Sequence, residues 1–207
     1  MTKQFHGNVL STDALDQLFN EARSYNDWLD KEVSDIQLHA IWDLLKMAPT
    51  SANMQPVRIV WVKSEEQKAK LAECASDGNK DKIKAASVTA VIGYDIDFHE
   101  ELPWLFPHTD AKSWFEGDEE GRKEGGFRNS SLQGAYLILA ARAVGLDCGP
   151  MSGFDEDAVN KAFFGDEPRH RVNFICSVGY GDPESIFDRS PRPDRIAVCA
   201  PKIRLGT

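Results

Sequence analysis

The segment Pro49-Thr50-Ser51-Ala52-Asn53-Met54-Gln55-Pro56 constrains the fold most, because it fixes where one helix ends and one strand begins. Upstream, Ser34 and Gln37 form a capping box, and Leu38, Ile41, Trp42 and Leu45 make one apolar stripe. That spacing predicts a helix over Ser34–Ala48, stopped by Pro49. Downstream, Arg58–Val62 is a β-rich run and reads as a strand. Between two prolines the chain is left with a short, polar, backbone-rich turn.

The rest of the chain fills in around this unit. Leu15, Leu18, Phe19 and Ala22 share a face, so Ser11–Tyr25 reads as a helix. A second capping box, Ser64 with Gln67, opens a helix expected to end near Gly78. Val88–Tyr94 reads as a strand, Asn129–Val144 as a long helix closed by Gly145, and Asn173–Tyr180 as a buried strand. Asp155 is expected to cap a short helix ending at Gly165. Residues 95–126 keep no period and hold Phe98, Trp104, Phe106, Trp114 and Phe115. Such a stretch reads equally as a lid over a binding site and as an aromatic-anchored surface excursion. Residues 181–207, with four prolines, are expected to run as an arm across a surface, that of a partner subunit included. Helices and strands mix without strict βαβ alternation. The expected fold is therefore α+β, with a mainly antiparallel sheet flanked by helices in a single domain over 1–207.

Composition narrows the function. A net charge of −9 argues against nucleic acid and against an anionic membrane surface. No apolar run approaches the ~20 residues of a membrane span, and the N-terminus lacks a secretory h-region. Cys74, Cys148, Cys176 and Cys199 lie far apart, as expected of reduced thiols in cytoplasm. Small-molecule chemistry is what remains.

Three common chemistries fail on spacing. Gly179-Tyr180-Gly181 lacks the third glycine of a dinucleotide fingerprint, and Pro183 spoils the helix start. In Gly149–Gly153, Ser152 stands three residues after the first glycine, so no nucleophile elbow forms. The five histidines are isolated, with no metal-ligand spacing; His108, in the aromatic segment, is the one to watch. What remains are polar loops at helix boundaries: Arg23-Ser24, Thr50–Gln55, Asn79 with Lys82 one turn on, and Arg189 and Arg192 in the tail. Cations beside Ser, Asn and Gln suit a phosphorylated, hydrogen-bonding cofactor. Any one of them alone also reads as a surface charge or a cap.

In combination and order, these segments resemble the nitroreductase family of FMN enzymes over nearly the whole chain. Arg23-Ser24 fits the family's first phosphate segment, within which Ala22 and Asn26 stand where basic residues are expected. Pro49-Thr50-Ser51-Ala52-Asn53-Met54-Gln55-Pro56 matches the family's (P)-S-x-x-N-x-Q-P element. The resemblance implies that this loop reaches the flavin from the neighbouring subunit of an intertwined homodimer. It further implies that Arg23, Ser24 and Asn26 lie at the phosphate end, with Arg189 and Arg192. Asn79 and Lys82 would lie along the ribityl chain and the N1/O2 edge, and Pro150-Met151-Ser152-Gly153 along the N5 side. Pro49, Thr50, Ser51, Asn53 and Gln55 would complete the cofactor site.

The strings at 102–115, 127–155 and 178–182 are most similar to the malonic semialdehyde reductases of pyrimidine degradation. That likeness implies ping-pong hydride transfer through flavin N5, from NADPH or NADH (NADPH favoured), to give 3-hydroxypropionate. His108 and Arg128, with Arg58, are the substrate-side candidates, and no catalytic acid is assigned. A nitroarene or quinone reductase and a non-catalytic flavin-binding module are the rival readings.

Overall fold

The computed structural model describes residues 7–165 and 169–186. A four-stranded antiparallel sheet, in the order β1-β2-β4-β3, forms its centre. The strands are β1 (Val57–Val62), β2 (Val88–Asp95), β3 (Asp147–Met151) and β4 (His170–Gly179). The expected mainly antiparallel α+β architecture is what the chain adopts.

Helices cover both faces of the sheet. On one face, α2 (Asp35–Leu45) and α6 (Glu119–Ala143) bury Leu38, Ile41, Leu45, Leu137 and Ala141 against Ala90, Ile92 and Val178. On the other, α3 (Glu65–Glu73), α4 (Asp77–Ala85) and α7 (Glu156–Phe163) bury Leu71, Ile83 and Val159 against Val62, Val91 and Ile175. Because both faces are covered, the central strand β2 reads as a nearly unbroken apolar run.

Local signals set the element ends. Ser34 and Gln37 make both halves of the capping box that opens α2. Asp155 caps α7 by accepting the Ala158 N–H at 3.0 Å. Gly145 and Gly165 take positive φ just beyond α6 and α7.

Four expectations need correction. The first helix is short: α1 (Thr12–Leu15) passes into a π turn at Asp16–Asn20, and Phe19 stays 53% exposed. Leu15, Leu18 and Ala22 of its apolar stripe are only half-buried, the π turn resting on α6. The helix opened by Ser64 ends at Glu73, and α4 starts at Asp77, so Gly78 begins a second helix instead of closing the first. The break is forced by main-chain pairing of Cys74–Ser76 with Gly153–Asp155. The long helix α6 begins at Glu119, so it absorbs the end of the 95–126 segment. Strand β3 went unread because it is short and holds Pro150, which an edge strand tolerates.

The rest of the 95–126 segment is anchored. Phe98, Leu102 and Ala111 form a small buried cluster with Met54, against which Phe106 and Phe115 pack. It contains the short helix α5 (Leu102–Leu105). Trp104 and Trp114 stay exposed on it.

Candidate functional site

The predicted site residues gather at the two opposite edges of the sheet. At the β3 edge, Ser24 bridges to Cys148, and the Tyr25 N–H donates to the Cys148 carbonyl at 3.0 Å. This approach is close: a Cβ on Gly149 would sit 2.4 Å from the Tyr25 carbonyl oxygen. Past the end of β3, the Gly153 carbonyl accepts from Ser76 N–H and from Asn79 Nδ2, each at 3.0 Å. A Cβ on Gly153 would come within 2.8 Å of Asn79 Nδ2, so a larger residue there would push the Asn79 carboxamide aside. Arg23, Ser24, Asn79 and Pro150–Gly153 thus converge from three distant stretches of sequence. Asn26 follows on the same segment, half-buried.

This edge holds cations with spare bonding capacity. The Arg23 guanidinium donates only to its neighbours' carbonyls, Glu21 O and Ala22 O, and lies 3.9 Å from Glu21 Oε2. Its Nε is buried with no partner among the described residues. Lys82, half-buried one turn beyond Asn79, has no ion pair among the described residues.

At the β1 edge, the Pro49–Pro56 loop carries unusual backbone. Ala52, Asn53 and Gln55 have φ of 47°, 50° and 41°, a region that L-residues enter at a cost. Side-chain amides hold the strain in place. The Ser51 N–H donates to Asn129 Oδ1 at 2.8 Å, and the Gln55 N–H to Thr50 Oγ1 at 3.2 Å. Gln55 Nε2 donates to Asn53 Oδ1 at 2.8 Å, and Gln133 Nε2 to Gln55 Oε1 at 2.6 Å. Asn129 and Gln133, on α6, are 4% and 1% exposed. Sequence reading missed them, although two amides four apart on one helix face were a usable signal.

Beneath the loop, Asp95 is a fully buried carboxylate paired at 2.7 Å with both Arg58 and Arg169. Burial alone would raise it. Hydrogen bonds from Arg169 and the Asp97 amide, with the Arg58 and Arg169 charges, outweigh that and hold it below the usual carboxylate range. Arg58 also donates to the Gln55, Pro56 and Val57 carbonyls, so it braces the loop from below. A cavity of about 510 Å³ opens beside the loop, lined by Asn53, Gln55, Arg58, Trp42, Trp104 and Leu105 among others.

Of the substrate-side candidates, Arg58 belongs to this cluster, whereas Arg128 and His108 are not assembled with either edge. Arg128 is 68% exposed and pairs with Glu124 one turn back on α6. His108 is exposed, its ring packed edge-on against Phe106 at 5.2 Å. Arg189 and Arg192 lie outside the described residues.

The two clusters are far apart within one chain. Three inter-strand steps separate β1 from β3, roughly 14 Å at about 4.8 Å each. The register Val60–Val91–Ile175–Met151 shows that Gln55 also lies several residues along from Met151.

Known proteins share this fold. Residues 1–180 match the model described as "Nitroreductase family". A protein of Polynucleobacter asymbioticus named "Putative NADH dehydrogenase/NAD(P)H nitroreductase" is 57% identical over 192 residues, spanning 93% of this chain and 97% of its own. The crystal structure of the Bacillus subtilis nitroreductase ydfN superposes with a TM-score of 0.81 at 24% identity, covering 88% of this chain and 96% of that one. An Exiguobacterium sibiricum structure, described as a nitroreductase in complex with FMN, superposes at 0.76 with 22% identity, covering 90% and 96%. The chain belongs to the nitroreductase family.

Proposed function

We propose that this protein is an FMN-dependent NAD(P)H oxidoreductase whose cofactor site is completed by a second copy of the chain. The observation that carries it is the split between the two edges. Among the described residues, cations with spare bonding capacity stand at the β3 edge, while a strained, pre-organised polar loop stands across the sheet. One chain cannot bring both to one flavin, and two copies can.

The residues fit the cofactor. The spare Arg23 Nε and the exposed Ser24 hydroxyl suit a phosphate, since a guanidinium matches phosphate oxygens. Asn79 offers a carboxamide fixed by Gly153, and Lys82, without an ion pair among the described residues, an ammonium that can offset negative charge on the reduced ring. When bound, the flavin supplies hydride exchange between a nicotinamide and an acceptor, chemistry that no side chain here provides. The side chains hold the ring, exclude water and position the acceptor. We place the protein in the cytoplasm.

For the acceptor we propose malonic semialdehyde, reduced to 3-hydroxypropionate, with NADPH as the favoured donor. The 102–115 and 127–155 strings support it, with His108 and Arg128 as side chains a partner subunit would have to bring to the site. A second reading, a nitroarene or quinone acceptor, is favoured by the size and the Trp42 and Trp104 walls of the 510 Å³ cavity. The "NAD(P)H nitroreductase" in the relative's name supports it too.

Anaerobic NADPH added to the FMN-loaded protein, followed by a panel of the aldehyde, nitroarenes and quinones, tests both. Bleached flavin with aldehyde turnover is expected. Turnover of nitroarenes or quinones alone replaces the first acceptor with the second. Failure of NADPH to bleach the flavin would instead indicate a binding module.

A further inference from the structure

Across the β1 edge runs an unbroken chain of side-chain amides. The Val57 N–H donates to Gln133 Oε1 at 3.0 Å, and Gln133 Nε2 donates to Gln55 Oε1 at 2.6 Å. Gln55 Nε2 then donates to Asn53 Oδ1 at 2.8 Å, and Asn53 Nδ2 to the Leu105 carbonyl at 2.9 Å. The relay begins on strand backbone and ends at the last residue of α5, beside the exposed Trp104. Its direction is fixed at the start: a strand N–H can only donate, so Gln133 must present oxygen to Val57 and nitrogen to Gln55. Each following amide keeps this sense, to which the Ala48 carbonyl, accepting from Gln55 Nε2 at 3.3 Å, and the Leu105 carbonyl also contribute.

We infer that Gln133 is a positioning residue, which through this relay sets the orientation of Gln55 and Asn53 and fixes the α5 wall of the cavity against the loop. The inference rests on the reading of Pro49–Pro56 as a flavin-contacting loop. Three things support a role beyond packing. Gln133 is 1% exposed on a helix face that buries Leu137 and Ala141 as well as Asn129, and an aliphatic residue there would pack without needing partners. The residues it controls have positive φ, so their backbone does not hold itself. And the relay links the loop to Leu105, 52 residues away, whereas the loop's long-range main-chain bond, from the Asp95 N–H to the Pro56 carbonyl, stops at the end of β2.

The relay predicts a reversible defect. In Gln133→Glu, a neutral carboxylic acid can still accept from Val57 and donate to Gln55, whereas the carboxylate cannot donate. Burial raises such a carboxyl, so low pH should repair the relay and high pH should break it. The test compares wild type, Gln133→Glu and Gln55→Met; the last cuts the relay but spares the Val57–Gln133 bond. Side-chain amide NMR of unliganded protein reads the relay, and FMN titration reads the loop.

Expected in Gln133→Glu are dispersed, slowly exchanging Asn53 and Gln55 amide signals at pH 5.5 that are lost at pH 8, while wild type keeps them. FMN affinity relative to wild type should fall about tenfold between those pH values, the scale of one lost hydrogen bond. Gln55→Met should free the Asn53 amide at both pH values. Asn53 and Gln55 signals unchanged in folded Gln133→Glu, or an Asn53 signal unchanged in folded Gln55→Met, would overturn the inference. Signals that respond while FMN affinity does not would leave the relay standing and refute the loop's contact with flavin. If wild type binds no FMN, the functional reading fails, and the NMR result still decides the relay.

Discussion

The two edges of the sheet are built in opposite ways. At the β3 edge the main chain does the holding. Tyr25 pairs with Cys148, Ser76 with Gly153 and Asp155 with Cys74, so among the described residues the Arg23 Nε and the Lys82 ammonium are not spent on holding the edge. At the β1 edge the main chain is strained, and side chains do the holding: Asn129, Gln133, Gln55, Asn53 and Arg58 all bond the loop. Substitutions at the first edge should therefore separate binding from folding. At the second they should not.

The largest effect is expected beneath the β1 edge. Asp95→Asn leaves Arg58 and Arg169 without their buried counter-charge, at a cost of about 3 kcal/mol. Tm should fall by roughly 6–12 °C in a thermal melt. The Asp95 carboxyl is held below its unfolded value, so its contribution is complete above pH ~4 and lost as pH falls through the folded value. The stability gap between wild type and Asp95→Asn should accordingly narrow in acid. A gap independent of pH would remove Asp95 from the support of the loop.

Next comes Gln133→Leu, which strands the buried Val57 N–H and a Gln55 acceptor and should cost about 1–3 kcal/mol by urea denaturation. At the other edge, Arg23→Ala should weaken FMN binding roughly 10- to 100-fold, as for a lost charge-assisted hydrogen bond. Melts of its flavin-free form should stay within about 2 °C of wild type. A large loss of stability in Arg23→Ala would erase the contrast between the edges. The smallest effect is expected of Ala52→Gly. It relieves a φ of 47° and should raise stability by no more than about 1 kcal/mol, part of the relief being offset by the freer unfolded chain.

The sequence made the strongest local signals legible. The Ser34–Gln37 box, the Asp155 cap and the apolar runs of β1, β2 and β4 all lie where their residues predict. What it hid was set by tertiary contact. The break between α3 and α4 follows from Cys74–Ser76 pairing with Gly153–Asp155, which no local rule encodes. The amphipathic stripe near Phe19 promised a longer helix than forms, its other apolar side chains half-buried and Phe19 exposed. The site was half legible. Pro49–Pro56, Asn79 with Lys82, and Arg23-Ser24 stood out as polar loops, whereas Asn129 and Gln133 looked like an ordinary polar helix face. Their amides matter only because the loop above them is strained.

The central claim is that one flavin site takes its β3 edge from one chain and its loop from another. It is tested by a purified heterodimer of two disabled subunits, Arg23→Ala/Lys82→Ala and Ser51→Trp. The first lacks the cationic edge, and the second blocks the loop at an exposed position. The measurement is the FMN bound per dimer. Each homodimer should bind FMN poorly, and the heterodimer should regain one tight site of two, because one edge and one loop remain intact across the interface. A heterodimer with no regained site, or a wild-type monomer that binds FMN tightly, would contradict the account.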